Sequence, residues 1–458
     1  MTETAVKPSA SPDRALMYRR AFSTAWPAMM EMFFVTLAGM IDTMMVGGLG
    51  SYAISAVGLT AQPKFIGLTL FFGINVAVSA LVARRKGEER PENAQEIVWT
   101  AIRMTLILCA VITLVFVVFA PQMMQLAGSN ADTHEAAVEY FRIIMGGIFF
   151  NVVTMVINAA QRGSGNTRLS MTTNLTSSIV NVIFNYLLIG GRLGFPAWGI
   201  RGAAIATVLG TVVSAAMAFL SLFRRNSYIR FSAMRRLGLQ MKKECIRSIW
   251  RLAGTSSLEN IAMRVGFLAT ALIAARLGTD EFAAHNVGMN VLGLGFSFAD
   301  GMQAAAVALA GEALGAGKKE TAKAYGSICQ RIGFAISVLL ALLLFFGGRW
   351  FYSLNFRDET HIIEMGVVIS RWIMVIILLQ ISQIIYTGCL RAAGDVRYTL
   401  RAALISVTGI RTVVSLLLVL VFHMGLTGVW LGILSDQLSR FTLMRIRFKQ
   451  GKWVNLKI

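Results

Sequence analysis

The sequence predicts an all-α integral membrane protein with twelve transmembrane helices arranged as two six-helix lobes. Three observations predict this fold class: an apolar composition, twelve apolar stretches of spanning length, and an internal repeat that relates the two halves of the 458 residues. The hydrophobic fraction is 56% and the charged fraction is 14%, whereas a soluble globular protein has about 25% charged residues. The chain is therefore too apolar for a soluble fold.

The net charge of +20 would suggest a nucleic-acid partner in a soluble protein. Here the basic residues fall between apolar runs, which indicates membrane topology, and we expect no nucleic-acid partner. The four cysteines and four histidines are scattered without metal or redox spacing. We therefore expect no disulfide and no metal centre.

A spanning helix needs about 20 mostly apolar residues. Twelve stretches meet this requirement, with bounds that hold to within a few residues: 21–46, 53–83, 97–120, 136–160, 169–190, 199–223, 246–276, 282–314, 325–348, 362–389, 398–422 and 427–446.

The connecting segments alternate between strongly basic and nearly neutral. The basic set includes the N-terminus, "RRKGEERPEN", "QRGSGNTR", the stretch 224–247, "GAGKKETAK", "RAAGDVR" and the C-terminus. The other set holds only Arg192, Arg201, Arg276, Arg349 and Arg357. The positive-inside rule then places the basic set and both termini in the cytoplasm, so we expect a multi-pass protein of the cell (inner) membrane.

The long basic stretch near mid-chain predicts the division into two lobes. The expected units are a cytoplasmic N-terminal tail (1–20), an N-lobe (21–223), a cytoplasmic linker (224–245), a C-lobe (246–448) and a cytoplasmic tail (449–458).

The two lobes repeat each other in sequence. An ungapped offset of 228 residues places Glu31 on Glu259, Gly73 on Gly301 and Gly87 on Gly315. Offsets of 229 and 226 align "QRGSGNTR" with "LRAAGDVR" and "GIRGAAIAT" with "GLTGVWLGI". Because six spans are an even number, the repeats are parallel and related by a pseudo-twofold axis along the membrane normal. Such repeats are typical of secondary transporters, which bind substrate between the repeats.

These motifs resemble a known family. The pattern from Pro27 to Gly50, P-x14-D-T-x3-G-G-L-G, together with "LGTDEFAAHNV" and "RGSGNTR", is similar to the multidrug and toxic compound extrusion (MATE) family from about Ala21 to Phe448. The resemblance implies a V-shaped pair of six-helix lobes and antiport of organic cations against sodium ions or protons.

Asp42 is the carboxylate that most strongly indicates an ion pathway, because charged side chains inside spans are costly and usually functional. It lies about 7 Å below the outer end of the first span. Asn181 and Asn185, one turn apart on the fifth span, and Thr207 on the sixth reach a similar depth. These four side chains form the predicted coupling site for a proton or a sodium ion. The resemblance carries over to Asp42, Asn181 and Asn185, and some family members have Asp at the position of Asn185.

Glu31 allows two interpretations. It lies eleven residues before Asp42 on the same helix face, which would suit a two-step proton path. Its repeat mate Glu259 favours instead a structural role in both lobes.

The C-lobe has its own charges within spans, and we consider Glu259, Arg264, Arg411 and Asp436 possible secondary sites. Arg411 and Asp436 are both near mid-membrane, so the sequence suggests an ion pair between them. The resemblance places two cation ligands of some family members at Met263 and Gln380, which carry no charge here.

Two further features of the sequence are a lysine within a span and a pair of basic loops. Lys64 either extends to the membrane surface or pairs with Asp42. The basic residues of the loops 161–168 and 390–397 are expected to set topology and anchor lipid head groups, because these Gly-containing loops lack a nucleotide-binding Lys-Ser/Thr pattern.

The predicted function is therefore secondary active antiport by alternating access. The protein would export organic cations or drugs in exchange for protons or sodium ions, as a monomer contacting membrane lipids, with a cationic amphipathic small molecule as substrate and no cofactor besides the coupling ion. Two alternatives remain: a flippase of lipid-linked or anionic precursors, for which Arg264, Arg371 and Arg411 would supply charge, and a non-transporting receptor or scaffold. No nucleophile, base and orienting group occur together, so we predict no enzyme.

Overall fold

The computed structural model describes residues 14–224, 227–238, 240–355 and 360–456. This part of the chain contains sixteen α-helices, one π-helical segment, two short 3-10 helices and no strand. The predicted N-terminal tail up to residue 13, part of the linker, Arg357 and the last two residues lie outside the described residues.

Seven long helices correspond to the first six predicted spans. They are α1 (Arg14–Gly47), α2 (Ser51–Gly87), α3 (Pro91–Val118), α5 (Ala131–Gly146), α6 (Ile148–Gly163), α7 (Thr167–Leu188) and α8 (Gly199–Ser221), with the short α4 (Ala120–Leu126) between α3 and α5. The helices α5 and α6 meet at a bend of 45° and together form the fourth span. Gly147 lies at this bend, where a Cβ atom would come within 2.5 Å of a methyl group of Val208.

The second half of the chain repeats this organisation. After α9 (Phe231–Arg236) follow α10 (Lys243–Ala275), α11 (Thr279–Gly315), α12 (Lys319–Asn355), α13 (Thr360–Ala392), α14 (Val396–Ala403), α15 (Thr412–Leu420) and α16 (Gly425–Gln450). The helices α14 and α15 are joined by the π-helical segment Leu404–Arg411 into one span, the eleventh. Its last residue, Arg411, is buried.

All twelve predicted spans coincide with helices, but composition alone does not identify every one of them. Within the described ranges, nine helices are long and apolar enough to cross a membrane, or ten if the bent pair counts as one. The two predicted spans that fall short are α7 and α16. They carry Asn181, Asn185, Asp436 and Arg440, and these polar and charged side chains lower the hydropathy of the two helices.

Each lobe has its own hydrophobic core, and each core includes the start of a helix from the other lobe. Ala25 and Met29 on α1 pack into the core of the C-lobe. Ile249 and Ala253 on α10 pack into the core of the N-lobe. Because α1 and α10 are repeat mates, this exchange follows the pseudo-twofold axis.

The lobes touch at the end of the bundle that carries most of the basic connecting segments, which we call the basic end. Here Gly87 on α2 and Gly315 on α11 are so close to the opposite helix that a Cβ atom would lie 1.9 Å from the carbonyl oxygen of Glu312 and 2.0 Å from that of Arg84, respectively. Arg20 and Lys86 also donate hydrogen bonds to the Glu312 carboxylate, at 2.7 and 3.1 Å. The repeated glycines therefore permit direct backbone contact between the lobes.

Candidate functional site

The Asp42 cluster lies in the N-lobe between α1, α7 and α8. The amide nitrogen of Asn185 donates a hydrogen bond of 2.5 Å to Asp42 Oδ1 and a longer one of 3.4 Å to Asn181 Oδ1. Asn181 in turn donates to the Thr207 hydroxyl at 3.1 Å. The structure thus brings together all four residues of the predicted coupling site, and their role stays a prediction.

Two more residues, Tyr140 and Lys64, lie near this cluster. Sequence reasoning assigned no role to Tyr140 and left two roles open for Lys64. The buried Tyr140 on α5 places its phenol group beside Thr207 and within electrostatic range of Asp42. Lys64 on α2 also lies within electrostatic range of Asp42, but no salt bridge joins them in the described part of the chain. No sequence signal pointed to Tyr140, because its position on α5 relates to α1 and α8 only through tertiary packing.

A second cluster surrounds Glu31, which is fully buried. Its Oε1 atom accepts hydrogen bonds from Arg162 at 2.8 Å, Ser170 at 2.9 Å and Asn174 at 2.6 Å. Arg162 also donates to Asn75 Oδ1 at 3.1 Å. These contacts connect α1, α2, α6 and α7 near the basic end, as expected of a structural ion pair.

The C-lobe contains the repeat of this cluster. Arg391 lies 3.0 Å from Glu259 Oε1, and the Thr399 hydroxyl donates to Glu259 Oε2 at 2.8 Å. Arg391 also donates to Gln303 at 3.3 Å. The offsets of 228 and 229 relate every member to its N-lobe counterpart: Glu31 to Glu259, Asn75 to Gln303, Arg162 to Arg391 and Ser170 to Thr399.

The expectation that the basic residues of the two Gly-containing loops anchor lipid head groups is wrong for Arg162 and Arg391. Both are about nine-tenths buried, and each neutralises a carboxylate inside its lobe. The internal repeat was the sequence signal that could have predicted these ion pairs, because both lobes carry the glutamate and the arginine at equivalent positions. A buried glutamate without a counter-charge is far more costly than one with an arginine partner.

A third cluster, in the C-lobe alone, holds Asp436 between two arginines. Arg411 lies 3.7 Å from Asp436, as the sequence suggested, and Arg440 is closer at 2.8 Å. Arg411 also donates to the Thr270 hydroxyl at 2.9 Å. Thr270 is the repeat mate of Asp42. In the C-lobe, the guanidinium group of Arg411 therefore lies beside the residue equivalent to Asp42.

The two positions that the resemblance linked to cation ligands carry no charged group. The sulfur of Met263 lies 3.8 Å from Arg440 Nη1. The amide of Gln380 is buried without a hydrogen-bond partner. A positive side chain therefore already lies beside the first of these two positions.

A central cavity separates the lobes and has two adjoining chambers of about 540 and 430 Å³. The larger chamber is lined by residues of both lobes, including Glu31, Asn75 and Asn174. The lining of the smaller chamber includes Phe65, Met289, Phe296 and Arg264. The residues common to both chambers are Phe72, Asn260, Asp300, Gln303 and Arg391.

The fold and the cavity together define a class of protein. Two parallel six-helix repeats that enclose a polar and aromatic cavity of ligand size are the architecture of a membrane transporter for small molecules. The comparisons with known proteins identify the family. The MatE family model matches residues 27–187 and 256–417, and the chain belongs to this family.

Relatives along the whole chain agree with this assignment. A probable multidrug resistance protein NorM of Thermotoga maritima is 27% identical over 433 residues, which cover 94% of this chain and 91% of that protein. A probable multidrug resistance protein NorM of Burkholderia pseudomallei is 28% identical over 419 residues, 89% of this chain and 87% of that protein. An uncharacterized transporter, YisQ of Bacillus subtilis, is 23% identical over 440 residues, 94% of each chain.

Solved structures match the fold. The crystal structure of MATE in complex with MaL6 superimposes with a TM-score of 0.88 at 24% identity, covering 97% of this chain and all of that one. An outward-facing multidrug resistance MATE family transporter gives the same TM-score at 23% identity. The predicted twelve-helix, two-lobe fold is confirmed, and the protein is a transporter rather than an enzyme, as are the members of its family.

Proposed function

We propose that this transporter exports organic cations or drugs in exchange for protons, by alternating access, with Asp42 as the coupling carboxylate. The observation that carries the proposal is that Asp42 is hydrogen-bonded to a neutral amide and not to an arginine. Glu31, Glu259 and Asp436 each have an arginine within 3.0 Å, whereas the hydrogen bond to Asp42 comes from the neutral amide of Asn185. A carboxylate without a fixed counter-charge can exchange its charge during transport.

Asn185 suits such an exchange because its side chain can serve both states of Asp42. Its nitrogen donates to the charged carboxylate, and its Oδ1 atom is buried without a hydrogen-bond donor. After rotation of the amide, Oδ1 can accept a hydrogen bond from a protonated Asp42. One residue therefore satisfies the carboxyl group before and after protonation.

Protons are favoured over sodium ions by the composition of the cluster. Sodium is a hard cation that prefers several oxygen ligands, and carboxylates are the strongest of them. The Asp42 cluster offers one carboxylate, and its remaining oxygens belong to neutral amides and hydroxyls. A proton needs only the carboxylate.

The class of substrate is inferred from the relatives and from the cavity. The two NorM relatives are named as probable multidrug resistance proteins. The smaller chamber combines aromatic side chains with methionine, which adapt to varied apolar guests and stack on cations.

We infer that the basic end faces the cytoplasm, that both termini lie there, and that the cell membrane is the site of action.

The flippase alternative has weaker support. Its expected anion site would use Arg264, Arg371 and Arg411. Arg411 is already paired with Asp436, and Arg264 lies over the ring of Phe65 at 3.5 Å. The receptor or scaffold alternative has no support from a family whose members are transporters.

The proposal is tested in proteoliposomes by following ethidium transport under an imposed pH gradient and, separately, a sodium gradient. The native protein is compared with Asp42→Asn and with Asp280→Asn, which removes an exposed carboxylate from the first turn of α11. We expect pH-driven transport in the native protein and in Asp280→Asn and none in Asp42→Asn. Equal rates in all three proteins would remove Asp42 from the coupling step, and a response to sodium alone would replace the proton as the coupling ion.

A further inference from the structure

Asp300 is an acidic residue of the central cavity to which no role has been given. It lies on α11, its side chain is exposed, and it lines both chambers. Three carboxylates line the cavity in the described part of the chain: Glu31, Glu259 and Asp300. Both glutamates are held by arginines, whereas Asp300 has neither a hydrogen bond nor a salt bridge there.

The positive group whose charge affects Asp300 does not neutralise it by direct contact. Arg391 is within electrostatic range, but its guanidinium group is already bonded to Glu259 and Gln303. A carboxylate kept for structure inside a membrane protein is normally paired, because an unpaired charge is expensive there. The unpaired state of Asp300 is therefore the pattern expected of a ligand-binding group.

The surroundings of Asp300 match a flat organic cation. Phe72, at the position that the repeat relates to Asp300, lines both chambers, and Phe296 lies one turn before Asp300 on α11. The chain itself illustrates the affinity of this wall for cations, because the guanidinium group of Arg264 lies 3.5 Å from the ring centre of Phe65 in the smaller chamber. The combined volume is in the range of small-molecule sites.

We propose that Asp300 binds the positively charged nitrogen of the exported substrate, while Phe72 and Phe296 contact its apolar body. The ligand class is a monovalent organic cation with a flat aromatic frame. The inference rests on the proposed function and deepens it by separating two tasks: Asp42 exchanges the coupling ion in the N-lobe, and Asp300 holds the substrate in the cavity.

The test is ethidium binding to purified protein, followed by fluorescence, for the native chain, Asp300→Asn, Asp300→Glu and the control Asp280→Asn. An uncharged phenanthridine at pH 7.5 serves as the matched ligand without the positive charge. A charge-assisted contact contributes enough that its loss weakens binding about 10- to 100-fold. We therefore expect a Kd for ethidium raised by that factor in Asp300→Asn, and a Kd within about threefold of the native value in Asp300→Glu and Asp280→Asn. The Kd of the uncharged ligand should be unchanged in every variant, which also shows that Asp300→Asn is folded.

The outcomes separate this inference from the function on which it rests. If the native protein binds ethidium and Asp300→Asn binds it equally well, the role of Asp300 is refuted and cation export stands. If Asp300→Asn loses both ligands equally, Asp300 supports the shape of the cavity and the inference is also refuted. If the native protein binds neither ethidium nor tetraphenylphosphonium, both the substrate class and the role of Asp300 are overturned.

Discussion

Replacing Arg162 by methionine is expected to destabilise the protein by about 3 kcal/mol or more, because removing one partner of a buried ion pair typically costs about 3 to 5 kcal/mol. Arg162 gives Glu31 its only salt-bridge partner in the described residues and also contacts Ser170 and Asn75. Ser170 and Asn174 would still donate hydrogen bonds to Glu31. These two remaining donors place the expected cost at the lower end of the range.

The assay is thermal unfolding of the purified protein in detergent. An unfolding entropy of about 2.1 cal/mol/K per residue gives roughly 1 kcal/mol/K for a chain of 458 residues. The expected fall in Tm is therefore about 3 °C for Arg162→Met. The double variant Glu31→Gln with Arg162→Met should recover at least half of this loss, since it also removes the buried charge.

A matched control is available on the surface. Lys323 and Glu320 form an exposed pair one turn apart on α12, and Lys323→Met should change Tm by less than about 0.5 °C because such pairs contribute little. The repeat adds a second test, since Arg391→Met should behave like Arg162→Met. A Tm for Arg162→Met within 1 °C of the native value, or a double variant less stable than the single one, would refute the structural interpretation of Glu31.

Two more predictions concern closure and ion choice. Gly315→Ala should strongly reduce ethidium transport, because its Cβ atom would lie 2.0 Å from the backbone oxygen of Arg84 and keep the basic ends of the lobes apart. The control is Gly293→Ala on the same helix, whose Cβ atom would meet nothing within 4 Å and which should transport normally. Equal transport rates in the two variants would show that the contact between the lobes at Gly315 is not needed. Asn185→Asp should raise the ratio of sodium-driven to pH-driven ethidium transport at least several-fold, because it adds a second carboxylate beside Asp42. An unchanged ratio in the same proteoliposomes would contradict the argument that the cluster favours protons because it has only one carboxylate.

The Asp42 cluster shows how far sequence reasoning reached into the site. Helical spacing puts Asn181 and Asn185 on one face, and counting residues from each span end gives their depth. Both quantities are local, so they could be read before the fold was known. Tyr140 could not be found in this way, because nothing in its own helix indicates that it faces Thr207.

The burial of Arg162 and Arg391, by contrast, could not be predicted from their local sequence. Arg162 and Arg391 have the sequence context of surface loops, with glycine and further basic residues beside them. Their burial follows from where the ends of α6 and α13 meet the glutamates of α1 and α10. Arg440 was also missed as the closer partner of Asp436, although the two are four residues apart on α16.

The sequence by itself determined the membrane-spanning helices, the two-lobe repeat and the place of Asp42 near the end of the first span, because each depends on composition and on periods along the chain. Only the tertiary structure decided that Arg162 and Arg391 neutralise the two buried glutamates, since these pairs depend on distances between helices far apart in sequence. Glu31, Glu259 and Asp436 acquired arginine partners, whereas Asp42 was left with an amide and Asp300 with an open cavity. Inside a membrane the cost of an unpaired charge is high, and that difference separates the structural carboxylates from the two to which we assign transport.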